Sequence, residues 1–182
     1  SLDIIITGLR ETLMIFIGLG ANLPSKRFGK PENTLQGIIN HLDDSEIKVL
    51  STARVYKSAP VPVSNDPWYF NTVIGIQTNL SPSQLMLRLL ETEIKFGRKR
   101  SGVNAPRTID LDLLDYNGLV INMSVENSGI GLNLPHPRMD KRAFVLLPLN
   151  DLDPNWCHPI LKISIRKLIK NLDPKQNIVV LD

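Results

Sequence analysis

The chain has 182 residues, 42% hydrophobic and 21% charged, a balance that a folded soluble domain needs and that excludes disordered and fibrous architectures. Its 21 basic and 18 acidic residues leave a net charge of +3, compatible with nucleic acid, phosphorylated ligands or an ordinary soluble surface. A single cysteine, Cys157, excludes an internal disulfide, and with three histidines it leaves no Cys/His cluster of structural-zinc spacing, as expected of a cytoplasmic protein.

Residues 1–13 read as an extension or tag remnant ahead of Met14, since Asp3, Arg10 and Glu11 break the order of a secretory signal. One domain is expected over 14–182. No membrane span is expected, because the best uncharged stretch, 12–25, contains Gly18, Gly20 and Pro24 and falls short of the roughly 20 apolar residues required. A first strand is expected over Ile15 to Leu19, then a turn through Asn22 and Pro24, then a helix opening near Pro31 with Leu35, Ile38, Ile39 and Leu42 at helical spacing. A strand around Ile47 to Lys57 follows. Pro60, Pro62 and Pro67 make Ser58 to Trp68 an irregular wall of the kind that lines ligand sites.

Phe70 to Thr78 reads as a strand, and Ser81-Pro82-Ser83-Gln84 as a capping box that opens a helix ending near Gly97, with Leu85, Leu89, Leu90 and Ile94 facing the core. A basic loop runs to Pro106. Thr108 to Met123 alternates and contains Asn117-Gly118, which predicts a hairpin. Helices are expected around Lys141 to Leu149 and from Ser164. The order β, α, β, β, α, β, β, α, α implies an α+β layer, mainly antiparallel sheet covered by helices.

The chemistry centres on Thr108 to Leu113. On a strand Ile109, Leu111 and Leu113 point one way and Asp110 and Asp112 the other, roughly 6.5 to 7 Å apart along it. Two anions side by side are costly unless neutralised, and magnesium suits such a pair because it takes one or two carboxylates together with substrate phosphates. The competing reading is the wet face of a half-exposed strand. Lys95, Arg98, Lys99, Arg100 and Arg107 precede the pair with no intervening acid, so Arg98, Arg100 and Arg107 are placed to clamp phosphate oxygens. His136, between two prolines, is a candidate phosphate or ribose contact. Tyr69 and Asn71 share a strand face and offer a ring and an amide to a flat heterocycle, with Phe144 as the opposing ring.

Pro106-Arg107-Thr108-Ile109-Asp110-Leu111-Asp112-Leu113-Leu114, together with Gly18, Asn22, Tyr69-Phe70-Asn71, Leu134-Pro135-His136-Pro137 and Arg142-Ala143-Phe144, resembles the 6-hydroxymethyl-7,8-dihydropterin pyrophosphokinases of folate biosynthesis from Met14 to the carboxyl terminus. The resemblance implies a ferredoxin-like α+β sandwich, ATP as co-substrate, two magnesium ions and transfer of pyrophosphate from MgATP to the pterin hydroxymethyl group, releasing AMP. It implies Asp110 and Asp112 as metal ligands and Arg98 and Arg107 as catalytic arginines. Arg98, Arg100, Arg107, His136 and Arg142 would contact ATP, and Ser58, Tyr69, Asn71, Asp110 and Phe144 the pterin. Glu93 matches an acidic residue of open role. The chain departs from relatives at Val103-Asn104-Ala105 and at Ala59-Pro60, and residues 1–13 could belong to a fused folate-pathway enzyme.

The resemblance further implies a monomer with small-molecule partners and neither nucleic acid nor membrane. Two readings of other classes stand beside it. A nucleic-acid-binding module would use the basic loop but would display several stacking aromatics, whereas only 5% of the chain is aromatic. A metal-dependent hydrolase would use the same aspartates without needing an acceptor.

Overall fold

In the computed structural model, which describes residues 13–22, 24, 27–60, 62–97 and 109–181 without the side chains of 127 and 128, the first strand sets the layering. Strand β1 (Ile15–Ala21) sends Ile15, Ile17 and Leu19 into one core and Phe16 into another, because successive side chains of a strand point to opposite faces. Helix α1 (Pro31–Leu42) covers the first face with Leu35, Ile38, Ile39 and Leu42.

Where one strand is expected over Ile47 to Lys57, there are two, β2 (Ile47–Thr52) and β3 (Tyr56–Ser58). The chain leaves the ladder at 53–55, where the Thr72 hydroxyl lies 3.0 and 3.2 Å from the carbonyl oxygens of Ala53 and Arg54. The two strands therefore pair in succession with β4 (Tyr69–Thr78). The irregular wall is present: 59, 60 and 62–68 form no helix or strand.

Helix α2 (Pro82–Lys95) opens on the expected capping box, with Gln84 N–H donating to Ser81 Oγ and Ser81 N–H to Gln84 Oε1. Its core face differs from expectation. Leu85 and Leu89 are buried, but they are joined by Thr92 and Glu93, while Leu90 is half-buried and Ile94 is 70% exposed. The helix turns this way because the Glu93 carboxylate accepts a hydrogen bond from the next strand. Gly97 follows with φ +103°, the conformation expected just past a helix end.

Strand β5 (Ile109–Tyr116) ends in the predicted turn, with positive φ at Asn117 and Gly118, yet no hairpin forms. Strand β6 (Ile121–Met123) is followed by helix α3 (Val125–Ser128) and pairs with β7 (Leu132–Leu134) in a separate ribbon. The edge a hairpin partner would need is already used: Leu111 N–H donates to Glu93 Oε1 at 2.8 Å, and Leu114 carbonyl accepts from His136 N–H at 2.8 Å. The helix expected around Lys141 to Leu149 is split into a 3-10 turn at Met139–Lys141 and α4 (Ala143–Leu152), because Arg142 between them is extended. Helix α5 (Ile165–Lys170) opens on Ser164 as expected, and an unanticipated strand β8 (Ile178–Val180) closes the sheet.

Among the described residues the main sheet runs β5-β1-β4-β3-β8, with β2 beside β3 along β4, and every pair is antiparallel. The succession β1-α1-β2-β4-α2-β5 is the βαββαβ order of a ferredoxin-like sandwich. α1 and α2 pack on one face, and α4 and α5 on the other through Val145, Leu146, Leu149, Ile165 and Leu168. No helix among the described residues is long and apolar enough to cross a membrane.

Candidate active site

The register of β5 on β1 sets Asp110 opposite Gly20 and Asp112 opposite Gly18. Both carboxylates lie on the sheet face away from Ile109, Leu111 and Leu113, which enter the α1/α2 core. A Cβ on Gly18 would pack against Leu114 at 3.4 Å, whereas Gly20 borders the cavity. A Cβ on Gly20 would come within 2.8 Å of Asn71 Oδ1. Burial, and then the neighbouring charge of Asp110, lift the Asp112 carboxyl to about 6, against the opposing effect of Arg142. Among the described residues no group of three or more His, Cys, Asp or Glu gathers as a metal cage. A site with two carboxylate donors leaves remaining positions for water and phosphate oxygens, which suits magnesium.

His136 is held beside Asp112 by its backbone bond to Leu114. Its Nδ1 accepts from Arg138 N–H at 3.2 Å, so the proton of the neutral ring sits on Nε2, 3.8 Å from Asp112 Oδ1. Burial, then Arg142 and Arg138, press its pKa down to about 4. The ring is therefore neutral near pH 7, and the contact is not an ion pair. Arg142 Nη1 lies 4.0 Å from Asp112 Oδ2, and its guanidinium carbon is 5.3 Å from the centre of the Phe144 ring. Burial, then Arg138, lower the Arg142 pKa, while Asp112 and Asp110 favour its charge. Glu93, 2% exposed, bonds the Leu111 amide between the two aspartates and so ties their strand to α2.

Next to this pair lies a cavity of about 340 Å³ lined by Ser58, Tyr69, Asn71, Asp110, Arg142 and Phe144, the volume of a small-ligand site. Pairing of β3 with β4 sets Ser58 against Tyr69 and Tyr56 against Asn71. Asn71 and Ser58 are buried, with Asn71 Nδ2 3.4 Å from Ser58 Oγ, whereas Tyr69 is partly exposed. Asp110 belongs to both the cavity wall and the carboxylate pair.

Of the residues named from the sequence, Ser58, Tyr69, Asn71, Asp110, Arg142 and Phe144 thus share one cavity, and Asp112 and His136 adjoin it. Arg98, Arg100 and Arg107 lie outside the described residues. The same wall contains Gly20, Ala59 and Ala143, to which sequence reasoning gave no site role, and Gln176, Asn177 and Ile178, which it did not name. Gly20 does carry a signal, since a glycine inside a strand often marks a close approach, here by Asn71 Oδ1. Gln176 and its neighbours carry none, as they reach the site only through the pairing of β8 with β3.

The family model for 7,8-dihydro-6-hydroxymethylpterin-pyrophosphokinase matches residues 16–154. The chain is 35% identical over 158 residues to the 2-amino-4-hydroxy-6-hydroxymethyldihydropteridine pyrophosphokinase of Synechocystis, covering 86% of this chain and 75% of that protein. Identity to the Aquifex aeolicus protein of the same name is 32%, covering 90% and 92%. The folic acid synthesis protein FOL1 of Dictyostelium discoideum is 32% identical over 91% of this chain, which spans 23% of that protein and 20% of its Pneumocystis carinii counterpart. A Plasmodium falciparum HPPK-DHPS crystal structure superposes with a TM-score of 0.68 at 14% identity, covering 92% of this chain and 46% of that one, a likeness of fold.

Proposed function

The chain belongs to the 7,8-dihydro-6-hydroxymethylpterin-pyrophosphokinase family, and from that membership we propose that it transfers pyrophosphate from MgATP to the hydroxymethyl group of 6-hydroxymethyl-7,8-dihydropterin, releasing AMP. The observation that supports this most is the double membership of Asp110, which both lines the cavity and stands beside Asp112. A pterin in the cavity has its alcohol beside the carboxylate pair.

The pterin ring lies between Tyr69 and Phe144 and bonds the Asn71 amide, whose position is set by Ser58 and by the absence of a Cβ at Gly20. Asp110 and Asp112 hold the magnesium, two ions in this reading, which supplies charge neutralisation and acidifies the alcohol when bound. Arg142 and His136 face the ATP phosphates, the first as a cation and the second as a neutral Nε2–H donor. Arg98, Arg100 and Arg107 complete the phosphate clamp. Transfer of this kind needs mainly positioning and dispersal of charge, so no side-chain base is assigned. The enzyme works as a cytoplasmic monomer.

Incubation with MgATP, with and without the pterin alcohol, followed by chromatography of the nucleotides, tests the reading. AMP formed only with the acceptor supports it. ADP, or release of phosphate regardless of acceptor, overturns it, the second outcome in favour of a hydrolase.

A further inference from the structure

The phosphate side of the site depends on where Arg142 points, and Arg142 sits at the junction between the 3-10 turn and α4. It is the extended residue before α4, with φ −109° and ψ 110°, and its side chain makes no capping bond to the helix. Ala143 N–H is one of the amides that the first turn of a helix leaves without an intrahelical partner. The acceptor comes from 33 residues away: Gln176 Oε1 takes the Ala143 N–H at 2.9 Å, and Gln176 Nε2 donates to the Lys141 carbonyl at 3.0 Å.

These two bonds grip the peptide groups on either side of Arg142. Rotation about φ or ψ of that residue moves one peptide plane against the other and strains these bonds, so the carboxamide adds to the backbone bonds already there, Arg142 N–H to the Met139 carbonyl at 3.3 Å and the Arg142 carbonyl accepting from Val145 and Leu146 N–H at 3.1 and 3.0 Å, in setting the direction in which the Arg142 side chain leaves the chain. Gln176 is itself anchored by the two residues after it. Asn177 carbonyl accepts from Ala59 N–H at 3.0 Å, and Ile178 pairs with Ser58 on β3. The carboxy-terminal segment, which lies beyond the 16–154 match to the family model, thereby ties the cavity wall to the arginine 4.0 Å from Asp112.

We propose that Gln176 is a positioning residue for transfer, acting through Arg142. The inference rests on the pyrophosphokinase reading of the site and deepens it. Replacement by Met preserves the bulk of the side chain and removes both bonds, and Gln176→Asn, too short to reach both partners, serves if the Met variant fails to fold.

Turnover is measured as AMP formation for the wild type, Gln176→Met, Arg142→Ala and the double variant, and ligand-free proteins are followed by amide hydrogen exchange at Ala143 and by the Arg142 Nε–H resonance. Gln176→Met is expected to lower kcat roughly 10- to 100-fold, as misplacement of a charged group does, with little further loss in the Arg142→Ala background. Ala143 exchange speeds up and the Arg142 resonance shifts. Equal losses from Gln176→Met in both backgrounds, or a raised KM for the pterin at unchanged kcat, overturn the proposal. If the wild type makes no AMP, the functional reading fails separately, and unchanged Ala143 exchange with an unshifted Arg142 resonance overturns the positioning role on its own.

Discussion

Replacing Asp112 with Asn is expected to stabilise the ligand-free protein while stopping the reaction. Burial and the adjacent Asp110 lift the Asp112 carboxyl from 3.8 to about 6. A carboxyl whose pKa is higher folded than unfolded favours unfolding once it is ionised: the penalty is absent below about pH 4, grows as pH rises through the folded value, and is complete above it. At 1.36 kcal/mol per pKa unit the shift corresponds to roughly 3 kcal/mol. Water reaches the side chain, which is 27% exposed, so about 1 to 3 kcal/mol is expected after screening. Urea denaturation of both proteins in EDTA at pH 4, 5, 6 and 7.5 measures it. The curves should nearly coincide at pH 4, with Asp112→Asn the more stable at pH 7.5 and its MgATP-dependent turnover lower by orders of magnitude. A variant no more stable than the wild type at pH 7.5, or a difference that ignores pH, would refute the argument that ionised Asp112 is costly in the ligand-free fold.

Gly20→Ala should weaken pterin binding about tenfold, a cost of roughly 1.4 kcal/mol, because the new Cβ would sit 2.8 Å from Asn71 Oδ1; calorimetry with the pterin showing unchanged affinity contradicts this. Trp156→Phe removes the indole N–H that donates to buried Asp115 at 2.9 Å and should cost about 1 to 3 kcal/mol of stability, read from denaturant midpoints, with kcat unaffected. Glu93→Ala deprives the Leu111 amide of its acceptor and should lower stability by about 1 to 3 kcal/mol together with turnover. Glu93→Gln, which keeps an acceptor, should retain most of both, and equal losses in the two variants argue against that bond.

What the amino-acid order settled by itself is local. The Ser81 to Gln84 capping box, the turn at Asn117-Gly118 and the opposed faces of Ile109 to Leu113 come from bonds and dihedrals spanning a few residues, so they were legible without the fold. The shared face of Tyr69 and Asn71 arises in the same way from strand alternation, and both residues line one cavity. The resemblance in blocks such as Arg142-Ala143-Phe144 then joined elements that no local rule connects.

Other features belong to long-range pairing. Asn117-Gly118 makes its turn, but whether β6 returns along β5 depended on an edge already occupied by Glu93 and His136, and so a hairpin signal produced no hairpin. Ile94 keeps helical spacing yet faces water, because the buried bond of Glu93 outweighed one apolar side chain in orienting α2. Gln176 shows the limit most plainly: its carboxamide acts on a backbone 33 residues earlier, and only the docking of β8 on β3 brings the two together. Periodicity and turn chemistry are short-range properties of the chain, whereas the edge that each strand meets is a property of the assembled sheet.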